Sequence, residues 1–515
     1  MKILLFNKIK LIGALTAKPY SFSFRKWKLK SLESIDLLDS FGSSIRIDIE
    51  GSSIKRILPY YNNMINDEWI TDKARFAYDG LKGWELVQPY IKYSYLKKFL
   101  KKSWYEIFNI LTIELKKKNY SNFFFKSGNF SDLENITLLK TISNKSGQFI
   151  NNTLNIPYDL KKHYLFNLNI KKIFGNKIIF LIGSNLRFEN PLLNLKIKKL
   201  LLKKNILIYH IGSPFDSTYY THYLGNSFFH LIKIISGKHK ISNYIKKFLL
   251  KNNNNNKINF FIKNSISLFF GSDFLNRIDS YTTIINFIKK KKYYFTYDFS
   301  IIHLYSGNIN SLELGFNNNY YLFCNNRLKK KYTKKLYFLH EVHNYFLIHN
   351  YKIHDFIIYQ GALSQLNFLK NFINIILPSN NILEQSGSFI NYKGIIQKTK
   401  LILIPKQTKR ENWKILIMFT KKLFLLDKNN IDNYKYNSIY FKLNKISPIK
   451  YNTNNLYFNQ LIFKNYYLNK NIKNKIYNSL FKLSLIDYYQ MDLISLKSKL
   501  MKQCSNQFTK THNYV

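Results

Sequence analysis

Cysteine is almost absent from this 515-residue chain, which has only Cys324 and Cys504. Two thiols cannot by themselves make a disulfide framework, a four-thiolate metal site or a cluster site. Glycine (18) and proline (9) are also scarce, about 3.5% and 1.7% of the chain against a usual ~7% and ~5%, which excludes collagen-like and Pro/Gly low-complexity classes. Acids are few: 29 Asp+Glu stand against 80 Lys+Arg, a formal net charge of +51. No apolar run of ~18 residues is free of charge, so no membrane-spanning helix is expected. The apolar stretch within Met1–Tyr20 is broken by Lys8 and Lys10 and is too short for a secretory signal.

What is abundant is hydrophobic and aromatic. The chain is 46% hydrophobic and 17% aromatic, with 40 Tyr and 43 Phe, so whole-chain disorder is excluded. At ~150 residues per domain the length suggests three or four domains, enough to bury a large core. A charge of +51 ordinarily suggests nucleic acid, an anionic membrane or an acidic partner. The enriched residues are Lys, Asn, Ile, Phe, Tyr and Leu, whose codons are rich in A and T. Strings such as Asn252–Asn256 and Lys289–Lys292 fit the same bias. The cations run from Lys2 to Lys510 without clustering on one element. The charge is therefore read as the product of an AT-biased genome, organellar in type by composition, rather than of a nucleic-acid groove.

The sequence divides into a short extension over 1–14, a β-rich segment over 15–90, an α/β region over 91–400 and a C-terminal region over 401–515. Ser44–Glu50 alternates at period 2 and, after Gly51-Ser52-Ser53, Ile54–Leu58 completes a hairpin; a short helix runs through Asp79 to Gly80. Residues 90–170 read as a Lys-rich helical stretch, with one clear helix over Ser103–Lys118. Ile178–Ile182, a helix from Leu192 to Lys204 opened by Asn190-Pro191, and Ile206–Ile211 make a βαβ unit, which demands a parallel sheet. Further apolar runs at Ile266–Phe270, Phe356–Tyr359 and Phe372–Leu377 repeat the cadence. Leu401–Ile404 reads as extended and Glu411–Leu425 as a helix. The expected class is mixed α/β, a small β-rich N-terminal segment followed by domains with parallel sheets.

The strand-end loops Gly183-Ser184-Asn185, Gly212-Ser213-Pro214, Gly271-Ser272-Asp273 and Gln360-Gly361 could bring backbone amides to a phosphate. They lack the spaced-glycine dinucleotide fingerprint and the P-loop lysine, and ordinary turns explain them. His340-Glu341-Val342-His343, with His349 and His354, resembles a metal cluster without zincin spacing and is read as a solvated loop. Tyr219-Tyr220, His222-Tyr223 and Tyr293-Tyr294 could stack bases, yet aromatics are too common here to single them out. No catalytic, cofactor-binding or metal-ligating residue is assigned on chemistry alone.

One segment is distinctive. Gly13–Phe22 (GALTAKPYSF), Glu33–Asp39 (ESIDLLD), Gly42–Ile47 (GSSIRI), Arg56–Pro59 (RILP) and Asn66–Leu81 (NDEWITDKARFAYDGL) together closely resemble the large iron–sulfur, 75-kDa-type subunit of respiratory complex I. Later matches keep the order: Gly183-Ser184-Asn185 with Arg187-Phe188-Glu189, Ile211–Pro214, Phe356–Gly361, Ile376-Leu377-Pro378, Glu384-Gln385-Ser386, and Asp487-Tyr488-Tyr489 with Asp492.

The resemblance implies a molybdopterin-oxidoreductase-like fold and a subunit of NADH:ubiquinone oxidoreductase, mitochondrial, on the matrix-side peripheral arm and made inside the organelle. In the family a cysteine-rich cluster domain precedes the counterpart of Gly13. The expectation is therefore a C-terminal part lacking the iron–sulfur domain, with clusters on a separate N-terminal half and FMN elsewhere in the complex. No cofactor is expected on this chain, and its role is expected to be structural. Expected partners are that cluster-bearing half and other peripheral-arm subunits, with no specific nucleic acid and no direct membrane span. The rival readings are an organellar RNA- or ribosome-associated basic protein and an active molybdopterin oxidoreductase.

Overall fold

The computed structural model describes residues 17, 19–21, 24–82, 85–93, 98–117, 122–146, 165–166, 178–204, 206–251, 266–277, 280, 297–315, 335–342, 355–362, 372–405, 408–424, 480–485 and 487–512. Near the N-terminus, β1 (Lys30–Ile35), β2 (Ser44–Glu50) and β3 (Ser53–Pro59) form an antiparallel meander, with a bulge at Asp48/Ile49. Ile45, Ile47 and Ile49 alternate onto the buried face, as a half-buried strand requires. The helix α1 (Asp72–Phe76) is capped by Thr71, whose side chain accepts from Ala74 N, and a 3₁₀ turn continues over Ala77–Lys82.

Next come β4 (Tyr90–Lys92), β5 (Phe99–Lys101), α2 (Trp104–Lys117), β6 (Asn122–Ser127) and α3 (Leu133–Ser146). The strand β7 (Ile178–Ile182) is followed by a short turn of helix, α4 (Leu186–Glu189), and by α5 (Pro191–Leu201). As expected, the Asn190 side chain caps α5 by accepting from Leu193 N, and Pro191 takes the first helical position. The strands β8 (Leu207–Ile211) and β9 (His222–Tyr223) precede α6 (Phe228–Ile235) and α7 (Lys240–Lys251). After them come β10 (Ile266–Phe270), α8 (Ser272–Leu275), β11 (Tyr297–Ile301) and α9 (Ser306–Glu313). The strands β12 (Lys335–His340), β13 (Phe356–Gly361), β14 (Ile375–Pro378), β15 (Ser388–Ile390) and β16 (Ile396–Lys398) lead to α10 (Asn412–Phe424). The helices α11 (Leu493–Lys497) and α12 (Lys499–His512) lie at the C-terminal end.

Two larger sheets result. One is wholly parallel in the order β11-β10-β7-β8-β9. The other runs β5-β4-β14-β13-β12-β6, with β14, β13, β12 and β6 parallel and the β4–β5 pair antiparallel at one edge. The inner strands β7, β10, β13 and β14 are buried on both faces, which is why they read as unbroken apolar runs. Ile179 and Leu181 of β7, and Phe338 and Ile358 of the second sheet, enter one shared cluster filled by α2, α3, α5 and α10. The alternate residues Ile178, Phe180 and Ile182 face a separate outer cluster, and Tyr337, Leu339 and Ile357 face another.

The mixed α/β class, with parallel sheets behind a β-rich N-terminal segment, is as expected. Residues 90–170 differ from the helical reading, since β4, β5 and β6 all lie within them. The Phe123-Phe124-Phe125 run packs as a parallel strand beside β12, and sheet contacts override its Lys/Asn-rich surroundings. Leu401–Ile404 is not a strand: Ile402 N and Leu403 N both donate to the single carbonyl of Leu383, at 2.9 and 3.0 Å, which folds the segment into a loop. Among the described residues no helix is long and apolar enough to cross a membrane.

Candidate functional site

In open parallel sheets a ligand sits beyond the carboxyl ends of the strands, where the winding reverses. In the five-stranded sheet that point lies between β7 and β10, at Gly183-Ser184-Asn185 and Gly271-Ser272-Asp273. The structure brings these two loops together, but around side chains of the protein itself. Glu189 accepts from Asn185 N at 3.0 Å, Ser272 N at 3.1 Å and Ser272 Oγ at 2.8 Å. Asp273 accepts from Ser213 Oγ at 3.0 Å and from Ser484 N and Oγ, both at 2.7 Å. The amides that could hold a phosphate are thus engaged by internal carboxylates. Burial, reinforced by the Asp273 charge, raises Glu189 to about 7.

The glycines here serve close packing. A Cβ on Gly271 would come 2.3 Å from Ser184 Cβ, and one on Gly183, whose φ is +51°, would come 2.9 Å from the Phe481 ring. Phe481 and Ser484 belong to the C-terminal segment, so that segment closes the crevice.

In the six-stranded sheet the carboxyl ends of β6 and its neighbour β12 come together. There Gly128 lets the two strand ends meet: a Cβ on it would stand 1.7 Å from Glu341 O. Glu341 has a φ of +52° and is buried, its Oε1 accepting from Asn412 Nδ2 at 2.8 Å. Asn412 is held in turn by Gln360 Nε2, which donates to its carbonyl and its Oδ1 at 3.1 Å each. Burial raises Glu341 to about 7. Asp132 is raised well above the usual range by burial and then by Glu134 and Glu341. Glu134, also raised by burial, accepts from Ser388 N at 3.0 Å. Glu341 further lines a small cavity with Phe130, Ala362, Asn381, Leu493 and Ile494.

Of the histidine motif, His340 and Glu341 are buried at the end of β12, so the expected solvated loop is corrected for these two; His343, His349 and His354 lie outside the described residues. Among the described residues no group of three or more His, Cys, Asp or Glu is arranged to hold a metal ion. Tyr219 packs against the central core, whereas Tyr220 is exposed and meets His222 edge-on at 4.8 Å; Tyr293 and Tyr294 lie outside the described residues. Cys504 is half-buried on α12, and burial raises its thiol; Cys324 is outside the described residues.

A third set of charges joins the N-terminal meander to the C-terminal helices. Lys73 Nζ lies 2.7 Å from Asp492 Oδ2, with both side chains almost fully buried. Asp36 and Asp39 are buried beside this pair. Burial and then the Asp39 charge raise Asp36 well above the usual range, and burial raises Asp39 to about 6. A parallel arrangement buries Lys409 between Glu384, at 2.9 Å, and Glu85, at 3.2 Å. None of these residues stands out in the sequence as a candidate for chemistry. The signal that could have found them is scarcity: among the described residues eleven of the chain's 29 acids are buried, in a chain otherwise rich in solvated cations.

Comparison with known proteins bears on these features. A family model described as molybdopterin oxidoreductase matches residues 86–422, and one described as the NADH-ubiquinone oxidoreductase NDSU1/NuoG-like 4Fe-4S domain matches residues 29–79. The NADH-ubiquinone oxidoreductase 75 kDa subunit of Reclinomonas americana is 31% identical, over 96% of this chain and 71% of its own length. The corresponding 75 kDa subunit of Acanthamoeba castellanii is 31% identical over 96% and 69%, and the mitochondrial 78 kDa subunit of Candida albicans is 29% identical over 96% and 67%. Among solved structures, a chain of the formyltransferase/hydrolase complex from Methylorubrum extorquens overlaps 65% of this chain and 99% of its own with a TM-score of 0.43 and 8% identity, too loose a likeness to carry an argument.

The match over 29–79 overturns two expectations. The NuoG-like 4Fe-4S domain lies on this chain, so the chain is not a part lacking that domain, and the assignment of all clusters to a separate N-terminal half is withdrawn along with that half as a partner. The same match indicates iron–sulfur binding on this chain, against the expectation of no cofactor. The side chains present do not fit a thiolate-held cluster, because residues 29–79 contain neither cysteine nor histidine, and the buried polar groups there include Asp36, Asp39, Asp48, Ser43, Thr71 and Lys73. The molybdopterin oxidoreductase match to most of the chain and the 31% identity across 71% of a relative place it together: the chain belongs to the NADH-ubiquinone oxidoreductase 75 kDa subunit family, with a molybdopterin-oxidoreductase-like fold.

Proposed function

We propose that this chain is an architectural subunit of the peripheral arm of mitochondrial NADH:ubiquinone oxidoreductase, respiratory complex I, on the matrix side of the inner membrane. Its relatives carry that enzyme's name, and its A/T-leaning composition fits a gene in the organelle's own genome. The observation that carries the architectural reading is the state of the strand-end crevice between β7 and β10. There internal carboxylates and the C-terminal segment fill the space this class of sheet gives to ligands. None of the described side chains is assigned a catalytic role.

In this reading residues 15–90 and 91–400 form a β-rich unit and an α/β unit, residues 401–515 are the C-terminal region, and its described segment from residue 480 onward contacts both units. Its partners are other peripheral-arm subunits, whose redox centres must keep fixed separations. Purification of the native NADH-oxidising membrane assembly tests the proposal. The chain is expected in it at a fixed ratio to the other subunits, and its absence would refute the reading. An RNA-associated role predicts instead that the chain leaves its assembly on nuclease treatment.

A further inference from the structure

A patch of exposed apolar side chains stands apart from the strand ends and the buried acids. Met64 is 69% exposed, Tyr61 57%, Trp69 48% and Leu202 82%. The first three lie on the loop after β3, and Leu202 ends α5. Contacts join the two elements into one face. The Lys199 ammonium lies 5.3 Å from the Trp69 ring centre, and Lys196 Nζ donates to Ile65 O at 2.6 Å.

The loop is fixed from below. Asn66 Nδ2 donates to the carbonyls of Ser44, Tyr60 and Trp69 at 3.1 to 3.3 Å, while Ile65 and Ile70 are buried. Its exposed side chains are therefore presented from a held backbone. The chain has only 5 Trp and 5 Met, and this face exposes one of each. Single exposed apolar groups are ordinary, but Trp, Tyr and Met gathered inside a polar rim are typical of the centre of an interface. The rim is basic: Lys199, Lys203 and Lys204 are exposed at the end of α5. The loop acid Asp67 is opposed by Lys196 at 3.6 Å.

We propose that this face docks an acidic surface of a neighbouring protein subunit. Trp69, Met64, Tyr61 and Leu202 form its dry centre, and Lys199, Lys203 and Lys204 meet the partner's carboxylates. RNA fits less well, because it would leave Met64 and Leu202 without apolar contact and would bring phosphates toward Asp67 and the exposed Glu68. The inference deepens the reading of the chain as an assembly subunit and rests on it.

Zero-length carbodiimide cross-linking of the native assembly at low salt tests it, since this reagent joins amines only to carboxylates they touch. The expected result is amides from Lys199, Lys203 or Lys204 to Asp or Glu of one other polypeptide, with a yield that falls as salt is raised. Hydroxyl-radical oxidation of Met64 and Trp69 is expected to be several-fold slower in the intact assembly than after its dissociation. Equal reactivity in both states, or cross-links confined to this chain, would overturn the proposal, as would protection that nuclease removes. If the cross-links and protection persist in an assembly that does not oxidise NADH, the docking face stands and the respiratory reading fails. If the chain co-purifies with NADH oxidation while Met64 and Trp69 stay reactive, the respiratory reading stands and the docking face fails.

Discussion

Lys73 places an ammonium in the interior, where only matched carboxylates make it tolerable. Asp492 supplies the direct contact, and Asp36 and Asp39 lie close enough to respond to its charge. Removing the cation leaves Asp492 buried without its counter-charge, a change that typically costs about 3–5 kcal/mol. Lys73→Ala is therefore expected to lower the thermal midpoint sharply, and Lys73→Ala combined with Asp492→Asn to recover part of the loss; equal midpoints for Lys73→Ala and the unaltered chain would contradict the pairing.

Glu341 makes the opposite case, an acid whose burial favours its neutral form. Its folded pKa, about 7, stands above the ordinary 4.5, so the native state holds a proton that the unfolded chain releases. This contribution is complete below about pH 4.5 and is lost as pH rises through about 7, a difference of roughly 3 kcal/mol. Glu341→Gln imitates the protonated acid and still accepts from Asn412. It should melt above the unaltered chain at pH 8, with the gap closing by pH 5, as followed in a thermal-shift series across pH.

At the level of the element, the glycines at strand ends are packing devices. Alanine at Gly128 would drive its Cβ into the Glu341 carbonyl, a backbone atom with no easy retreat. A cost of about 3 kcal/mol or more is expected, above the usual range for overpacking. Gly51 is the control: nothing lies within 4 Å of its Cβ position, and only its φ of +56° opposes alanine. Gly51→Ala should cost about 1 kcal/mol, the strain of a left-handed residue. Denaturant midpoints for the two variants would separate close approach from conformation.

The same elements show what could be read in the sequence. β7, β8, β10 and β13 were legible because burial on both faces produces unbroken apolar runs, and α5 because Asn190-Pro191 marks its start. β4 and β5 were not legible, since three residues apiece are too few to show a period. The strand-end glycines were legible as turns, but what fills them was not. Glu189 reaches Ser272 across 83 positions and Ser484 reaches Asp273 across 211, separations that local patterning does not encode.

At the level of the whole molecule, the C-terminal segment holds the separate cores together. Phe481 N donates to the Asn226 carbonyl, its own carbonyl accepts from Asn226 Nδ2, and its ring packs on Gly183 beyond the five-stranded sheet. Ser484 binds Asp273, Met491 O accepts from Tyr305, and Asp492 pairs with Lys73 of the meander. Ile494 O lies where a Cβ on Gly80 would fall, at 1.9 Å, so α11 sits directly on the 3₁₀ turn after α1. One stretch of chain thus contributes to the strand-end crevice, the cavity beside Glu341 and the N-terminal core. Ending the chain after residue 479 would strip all three contacts together and leave Lys73 without Asp492. The expected outcome is failure of the chain to accumulate in its assembly, with cleavage by protease inside residues 33–79, rather than fraying confined to the new end. Ending it after residue 512 removes none of these contacts and should leave assembly level and protease resistance unchanged. Normal accumulation of the chain ending at 479 would show that the cores hold together without this clamp.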